Sequence, residues 1–317
     1  MKYSVPSVAP RRPPSPFKAT TIALSGSVDG ERLKRGMARL VEHGVMQVDS
    51  AGATAQWRYF AGTDRHRLAS LEAALQSEAD VVLFARGGYG ISRLLADIDW
   101  EAVAASQKVF CGYSDLTAFS LAALAHGRFI TFSGPVTAGE FAQVDDLAAR
   151  DFAEKHFFGL LAPDEYTYPM ATSDRDHGNE RVEGRLWGTN LAMITHLVGT
   201  PFFPQIDDGI LVLEDIGEAP YRVERMFWQL KHAGVLDRQR AIILGAFTDC
   251  EPAPGMRYPY SMTEVIETLR EIAPCPVLTG FPFGHIPGKV TLPMGAPASL
   301  SVDGRNYALT VRDYFSA

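Results

Sequence analysis

Short apolar runs alternate with segments of helical spacing along the first half of the chain. Residues 19–26 are almost all apolar or small, as in a buried strand, and apolar residues then recur at helical spacing through 31–44. The same reasoning predicts strands at 45–48 and 80–85, and helices at 67–76 and from residue 90. Strands that alternate with helices in this way indicate a parallel sheet with both faces covered.

A stretch of weaker apolar pattern divides the chain. Between residues 143 and 179 charged residues become frequent, which predicts a connection between domains. The alternation then resumes, with strands at 181–187, 210–214 and 241–245, helices at 190–198 and 221–233, and a β-rich end. We therefore predict an α/β protein: an N-terminal parallel-sheet α/β/α domain at 18–150, a connection at 151–180, and a smaller β-rich α/β domain at 181–317. Residues 1–17 form a leader, expected to be a flexible or interface-lining arm.

Composition and charge disfavour several classes of protein. A net charge of −7 with no block of like charges gives no support for binding to nucleic acid or to an anionic membrane. No stretch reaches the roughly 18 apolar residues of a membrane span, and the first 17 residues lack the apolar segment of a secretion signal, so we expect a cytoplasmic protein. The scattered Cys111, Cys250 and Cys275 fit reduced thiols better than disulfides or a zinc site.

The most informative segment is 108–127, where a short apolar strand ends in Gly-Tyr-Ser-Asp and passes directly into a helix of small residues. Such a turn displays the hydroxyl of Ser114 beside the free N–H groups of the helix, as a nucleophilic serine requires. Leu116 replaces the second glycine of the G-x-S-x-G elbow, so the chain is not a standard α/β-hydrolase. A helix-capping role for Ser114 is the competing interpretation.

Two further segments place glycine or carboxylate residues at the ends of apolar strands. The glycine-rich loop 86–90 can turn backbone N–H groups toward an anion, or it can be a tight structural turn. Glu214 ends the buried strand 210–214, where a carboxylate needs a partner. That partner could be Arg222 or Arg225, or Glu214 could lie at an exposed strand end.

His285 lies in a loop of glycine and proline residues and is the best candidate for a general base. By contrast, His43, His126 and His232 lie near predicted helix C-termini, where a cation is favoured by the helix dipole. One serine, one carboxylate and one histidine, in that chain order, fit the nucleophile, orienting group and base of a serine hydrolase.

The order and content of these segments resemble the murein tetrapeptide L,D-carboxypeptidases, a serine peptidase family that also includes the microcin C self-immunity proteins. The resemblance runs from about residue 18 to residue 311. It is carried by FAGTD (60–64), ARGGYGISRLLADIDW (85–100), CGYSDLTA (111–118), ITFSGP (130–135), GRLWGTNLAM (184–193), LVLEDIGEAPYRVERM (211–226), FGH (283–285) and VTLPMG (290–295).

The resemblance implies a triad of Ser114, His285 and Glu214, with an oxyanion hole formed by the backbone N–H groups of Gly88 and Asp115. Glu218 lies in the same motif and is the alternative third member. The implied reaction removes the terminal D-alanine from the cytoplasmic murein tetrapeptide during peptidoglycan recycling, by a homodimer without metal or cofactor. The group that binds the terminal carboxylate of the substrate is not identified by the motifs.

Three alternatives remain to be weighed. Within the family, an amidase acting on aminoacyl-nucleotide antibiotics is expected to carry a longer loop ahead of the histidine, with aromatic residues that stack on a base. The segment 245–284 is of modest length, with Tyr258 and Tyr260 as its candidates, which favours the carboxypeptidase.

A non-catalytic ligand-binding protein of the periplasmic type would be expected to have a secretion signal and would not need the Ser, Glu and His. A metal hydrolase is disfavoured because no H-E-x-x-H motif or His/Asp cluster occurs.

Overall fold

The computed structural model describes residues 7–49, 52–252, 254–255 and 259–316. Its first half contains strands β1 (Lys18–Ile22), β2 (Met46–Gln47), β3 (Val81–Phe84), β4 (Val109–Gly112) and β5 (Thr131–Ser133). The helices of this half are α1 (Gly30–Glu42), α2 (Asp64–Gln76), α3 (Trp100–Ala105), α4 (Leu116–Gly127) and α5 (Leu147–Leu161). The helix predicted from residue 90 is only a 3₁₀ turn, Ile91–Arg93.

The second half is richer in strands. These are β6 (Glu165–Thr167), β7 (Ala171–Thr172), β8 (Asn179–Asn190), β9 (Gly209–Ile216), β10 (Gln239–Thr248), β11 (Val277–Leu278), β12 (Leu292–Met294), β13 (Pro297–Asp303) and β14 (Asn306–Arg312). Its helices are α6 (Leu191–Leu197), α7 (Pro220–His232) and α8 (Met262–Ile272).

The first sheet has the order β12-β5-β4-β3-β1-β2. Its strands from β5 to β2 are parallel, and β12 adds to the edge in antiparallel pairing although it comes from the far end of the chain. The buried runs of β3 and β4 place the loop 86–90 and the serine turn side by side, because parallel strands end at the same edge of a sheet. The predicted α/β class with a parallel sheet is confirmed.

The second sheet combines two kinds of pairing. Strands β8 to β11 are parallel, whereas β13, β14 and β6 follow β8 in antiparallel order. Glu214 stands near the carboxyl end of β9, a strand that is buried over most of its length. The parallel part therefore presents Glu214 at the edge of its sheet where ligands bind in open α/β folds.

The stretch of weak pattern is more regular than its sequence indicates. It holds the 15-residue helix α5, capped by the Asp146 carboxylate, which accepts a hydrogen bond from the Ala149 N–H at 2.9 Å. This helix buries Phe157 and Leu160, and β6 and β7 then join β14 at the edge of the second sheet. Charged residues on the exposed side of α5 conceal its apolar face from a reading of the sequence.

Residues 7–17 are held against the body of the protein, which corrects the expectation of a flexible arm for this part. Backbone hydrogen bonds join Val8 to Arg128 and Ile130, and Arg11 to Gln107. The guanidinium of Arg12 pairs with Asp164. The first six residues of the predicted leader lie outside the described residues. Among the helices described, none has the length and apolar character needed to cross a bilayer.

Candidate active site

Ser114 occupies a strained turn between β4 and α4. Its φ of +68° lies in the left-handed region, which costs a residue with a side chain of order 1–3 kcal/mol. The neighbouring loop approaches so closely that a Cβ on Gly87 would lie 2.7 Å from the Ser114 Cβ and 3.0 Å from its Oγ. The turn therefore needs glycine at position 87 to leave the hydroxyl in place.

His285 and Glu214 complete a chain of hydrogen bonds from Ser114. The Nε2 of His285 lies 3.0 Å from the Ser114 Oγ, and its Nδ1 lies 2.7 Å from Oε2 of Glu214. Glu214 is fully buried, so the expectation of an exposed strand end is wrong, and the partner of its carboxylate is the histidine rather than an arginine. Since the carboxylate can only accept, Nδ1 carries the proton and Nε2 is free to accept the serine proton.

Backbone contacts hold the loop that carries His285. The Thr248 hydroxyl at the end of β10 donates to the His285 carbonyl oxygen at 3.0 Å, and the Ala246 N–H donates to the Phe283 carbonyl at 2.8 Å. The end of β10 next to β9 thus fixes the histidine opposite Glu214.

Glu218 does not reach this chain of groups. It stands one residue before Ala219, the N-cap of α7, and its carboxylate lies 3.6 Å from Arg222 in a partly exposed i,i+4 ion pair. Of the two candidates for the third carboxylate, only Glu214 therefore contacts the histidine.

Asp115 ties the serine turn to the loop 86–90. Its buried carboxylate accepts hydrogen bonds from the Ser25 hydroxyl at 2.7 Å and from the Ile91 N–H at 3.0 Å, and burial raises the pKa of Asp115. The backbone N–H groups of Gly88 and Asp115 meet no hydrogen-bond acceptor among the described residues. Two free donors on loops fixed to each other fit the requirement of an oxyanion hole.

An ion pair that sequence reasoning missed lies next to the Tyr113 ring, which in turn packs on His285. The Tyr113 ring packs on His285 with centroids 5.1 Å apart, and the Lys289 ammonium lies 3.8 Å from the centre of the Tyr113 ring. Lys289 pairs with Glu140, and both are buried. Burial and the Glu140 charge raise the pKa of Tyr113 well above its usual range, so this phenol stays neutral. Lys289 could have been selected from the sequence because it is close to His285, whereas the residues around Glu140 do not indicate that its side chain lies near the site.

Asp215, next to Glu214, was also missed. It accepts hydrogen bonds from the Asn190 amide at 3.1 Å and from the Ala192 N–H at 2.9 Å, so it joins β9 to the start of α6. Burial raises the pKa of Asp215 to about 6.

In the described part of the chain, no group of three or more His, Cys, Asp or Glu side chains is arranged to hold a metal ion, and the three cysteines are free.

Comparison with known proteins places this chain in a family. Models of the LD-carboxypeptidase N-terminal and C-terminal domains match residues 20–134 and 183–300. A probable murein peptide carboxypeptidase of Bacillus subtilis is 32% identical, over 93% of this chain and 87% of that protein. The microcin C7 self-immunity protein of Escherichia coli is 30% identical, over 80% of each chain.

A solved structure gives the same answer for the fold. The muramoyltetrapeptide carboxypeptidase of Oxalobacter formigenes superposes with a TM-score of 0.86 at 36% identity, covering 94% of this chain and all of that one. Sequence and structure agree over nearly the whole length. The chain therefore belongs to the LD-carboxypeptidase family of serine peptidases.

Proposed function

We propose that this protein is a serine L,D-carboxypeptidase that removes the terminal D-alanine from murein tetrapeptide. The observation that carries the proposal is the hydrogen-bond chain from Ser114 through His285 to Glu214, with distances of 3.0 and 2.7 Å. Because the protein belongs to a family of carboxypeptidases, these hydrogen bonds give each of the three side chains one role in acyl transfer.

In the proposed mechanism, Ser114 Oγ attacks the carbonyl carbon of the bond to D-alanine while His285 Nε2 takes the hydroxyl proton. Glu214 stabilises the imidazolium that forms. The negative charge that develops on the carbonyl oxygen is met by the N–H groups of Gly88 and Asp115. The tetrahedral intermediate collapses as His285 gives its proton to the amine of D-alanine, which leaves. Water, activated by the same histidine, then releases the acyl group from Ser114.

The substrate assignment draws on the names of the relatives. One structural neighbour is a muramoyltetrapeptide carboxypeptidase, and one curated relative is a probable murein peptide carboxypeptidase. We propose that the chain acts on the tetrapeptide L-Ala–D-Glu–diamino acid–D-Ala, in the cytoplasm, during peptidoglycan recycling, and as a homodimer.

The microcin relative makes an amidase acting on aminoacyl nucleotides the second candidate. Its discriminating feature is an aromatic residue free to stack on a base ahead of the histidine. Of the two candidates in this chain, Tyr258 lies outside the described residues. The Tyr260 hydroxyl is bound to Glu224 and to Thr268, and its half-buried ring packs against the core, so the side chain is held in place rather than free to turn toward a base. This packing favours the carboxypeptidase.

The test is incubation of the purified protein with synthetic murein tetrapeptide, followed by mass spectrometry. We expect tripeptide and free D-alanine from the wild type, and a loss of turnover on the order of 10³-fold or more in Ser114→Ala. An intact tetrapeptide together with cleavage of an aminoacyl sulfamoyl adenosine would replace the proposal by the amidase. Equal turnover by Ser114→Ala would remove the serine from the mechanism.

A further inference from the structure

Within the described part of the chain, one cation beside the serine turn lacks an acidic partner. Arg86 follows directly on β3 and precedes Gly87, whose missing side chain lets the loop touch Ser114. Its side chain is exposed, and among the described residues no carboxylate lies within ion-pair distance of its guanidinium. By contrast, Arg93 in the same region is neutralised by Asp64 at 2.6 Å.

Backbone oxygens nevertheless hold the guanidinium of Arg86 in place. Its Nε donates to the Gly87 carbonyl at 3.2 Å, and its Nη1 donates to the Ser27 carbonyl at 3.1 Å. These contacts use two of the five N–H donors and leave the positive charge uncompensated. The backbone contacts therefore position the Arg86 side chain without neutralising it, so that its guanidinium can bind an anion.

A second donor points into the same corner. Gly88 has a φ of +120°, and a Cβ there would lie 2.5 Å from the Tyr59 hydroxyl and 3.5 Å from Nη2 of Arg86. The phenol and the guanidinium thus both lie against Gly88, the residue whose N–H is proposed for the oxyanion hole. Tyr59 is half-exposed, so its hydroxyl is accessible to a ligand.

We propose that Arg86, assisted by the Tyr59 hydroxyl, binds the free C-terminal carboxylate of the substrate; this inference rests on the proposed carboxypeptidase function. A carboxylate in this corner would lie next to the scissile carbonyl, as the carboxylate of a C-terminal residue must. Arginine binds carboxylates through paired N–H donors that a lysine cannot reproduce. The residue would then restrict the enzyme to the last peptide bond of its substrate.

A merely structural role for Arg86 is the competing explanation, because its contacts also join the loop 86–90 to Ser27. The two explanations differ in one measurable way. A carboxylate-binding residue matters only for substrates that have the carboxylate, whereas a structural residue matters for every substrate.

The experiment compares murein tetrapeptide with the same peptide ending in D-alaninamide. We expect the wild type to prefer the free acid, and Arg86→Gln to lose on the order of 10- to 100-fold in kcat/KM on the acid. On the amide, Arg86→Gln should stay within about twofold of the wild type, because this peptide has no carboxylate with which Arg86 could form a charge-assisted contact. Arg86→Lys should fall between, and Tyr59→Phe should show a smaller loss confined to the acid. Arg240→Gln, whose partner is Asp208 at 2.7 Å in an exposed pair at the start of β10, is the charge-matched control.

Calorimetry with the two peptides on a Ser114→Ala background measures binding without turnover. Weaker binding of the acid alone in Ser114→Ala/Arg86→Gln supports the inference. Equal losses on acid and amide, or no loss on the acid, would overturn it while leaving the carboxypeptidase in place. A wild-type enzyme that leaves both peptides intact would refute the proposed function, and the inference with it.

Discussion

Replacing Glu214 with Gln isolates the role of the third member of the proposed triad. The Glu214 carboxylate is fully buried and lies 2.7 Å from Nδ1 of His285. The substitution keeps the shape of the side chain and removes its charge. It also allows the amide N–H to face Nδ1, which would put the imidazole proton on Nε2, where it blocks acceptance of the serine proton.

The structure sets the size of the effect. Two unit charges 2.7 Å apart attract by roughly 6 kcal/mol at the effective dielectric constant of about 20 that suits protein sites. This is the stabilisation that the imidazolium loses in the transition state. A loss of roughly 6 kcal/mol corresponds to a decrease on the order of 10⁴-fold in kcat/KM, as expected when a triad carboxylate becomes an amide.

The matched control is Glu218→Gln, which removes a carboxylate four residues away. Its ion pair with Arg222 spans 3.6 Å and is partly exposed, so it should contribute only about 0.3–0.5 kcal/mol to the free energy of unfolding. We expect Glu218→Gln to keep kcat/KM within about twofold of the wild type, because it lies outside the hydrogen-bond chain.

The assay is release of D-alanine from the tetrapeptide, with the thermal midpoint measured for both variants. Glu214→Gln should be inactive and fold normally. More than about a tenth of wild-type kcat/KM in Glu214→Gln would refute the orienting role. A folded but inactive Glu218→Gln would move the third member of the triad to that residue.

Three further substitutions test the site and its surroundings. Gly87→Ala should lower kcat by on the order of 10-fold or more, because its Cβ would lie 2.7 Å from the Ser114 Cβ; an unchanged rate would show that the turn can yield. Ser114→Gly should raise the thermal midpoint, since glycine removes the cost of a φ of +68°, and an unchanged or lower midpoint would contradict the strain. Burial lowers the pKa of His156 to about 4, so the unfolded chain binds a proton there below about pH 6.5 while the folded protein does not. The free energy of unfolding should therefore fall by about 2 kcal/mol from this group between pH 7 and pH 5, and urea titrations should show a smaller fall in His156→Gln.

The sequence by itself determined the α/β class and the positions of most elements, because apolar periodicity records which face of a segment is buried. The strand predicted at 80–85 appears as β3, and the helix predicted at 221–233 appears as α7. Ser114, Glu214 and His285 could each be selected because they stand at strand ends or in a tight loop, where backbone geometry exposes side chains. Their catalytic roles stay predictions.

Local pattern failed where long-range packing decides the structure. The helix α5 forms because its narrow apolar face meets a core built from distant segments, and β12 joins the first sheet although it follows nearly all of the second. The residues next to α5 and β12 in sequence do not indicate which distant segments these two elements contact.

The tertiary structure alone chose among the candidate partners in the site. His285 is 171 residues from Ser114 and 71 from Glu214 in sequence, so no spacing rule joins them. The choice of Glu214 over Glu218 depends on which side chain the end of β9 turns inward toward the His285 loop. The ion pair of Lys289 with Glu140 likewise exists only because β12, which follows Lys289, pairs with β5, which precedes Glu140. Periodicity describes how one segment meets its surroundings, whereas a catalytic site depends on which surroundings the folded chain supplies.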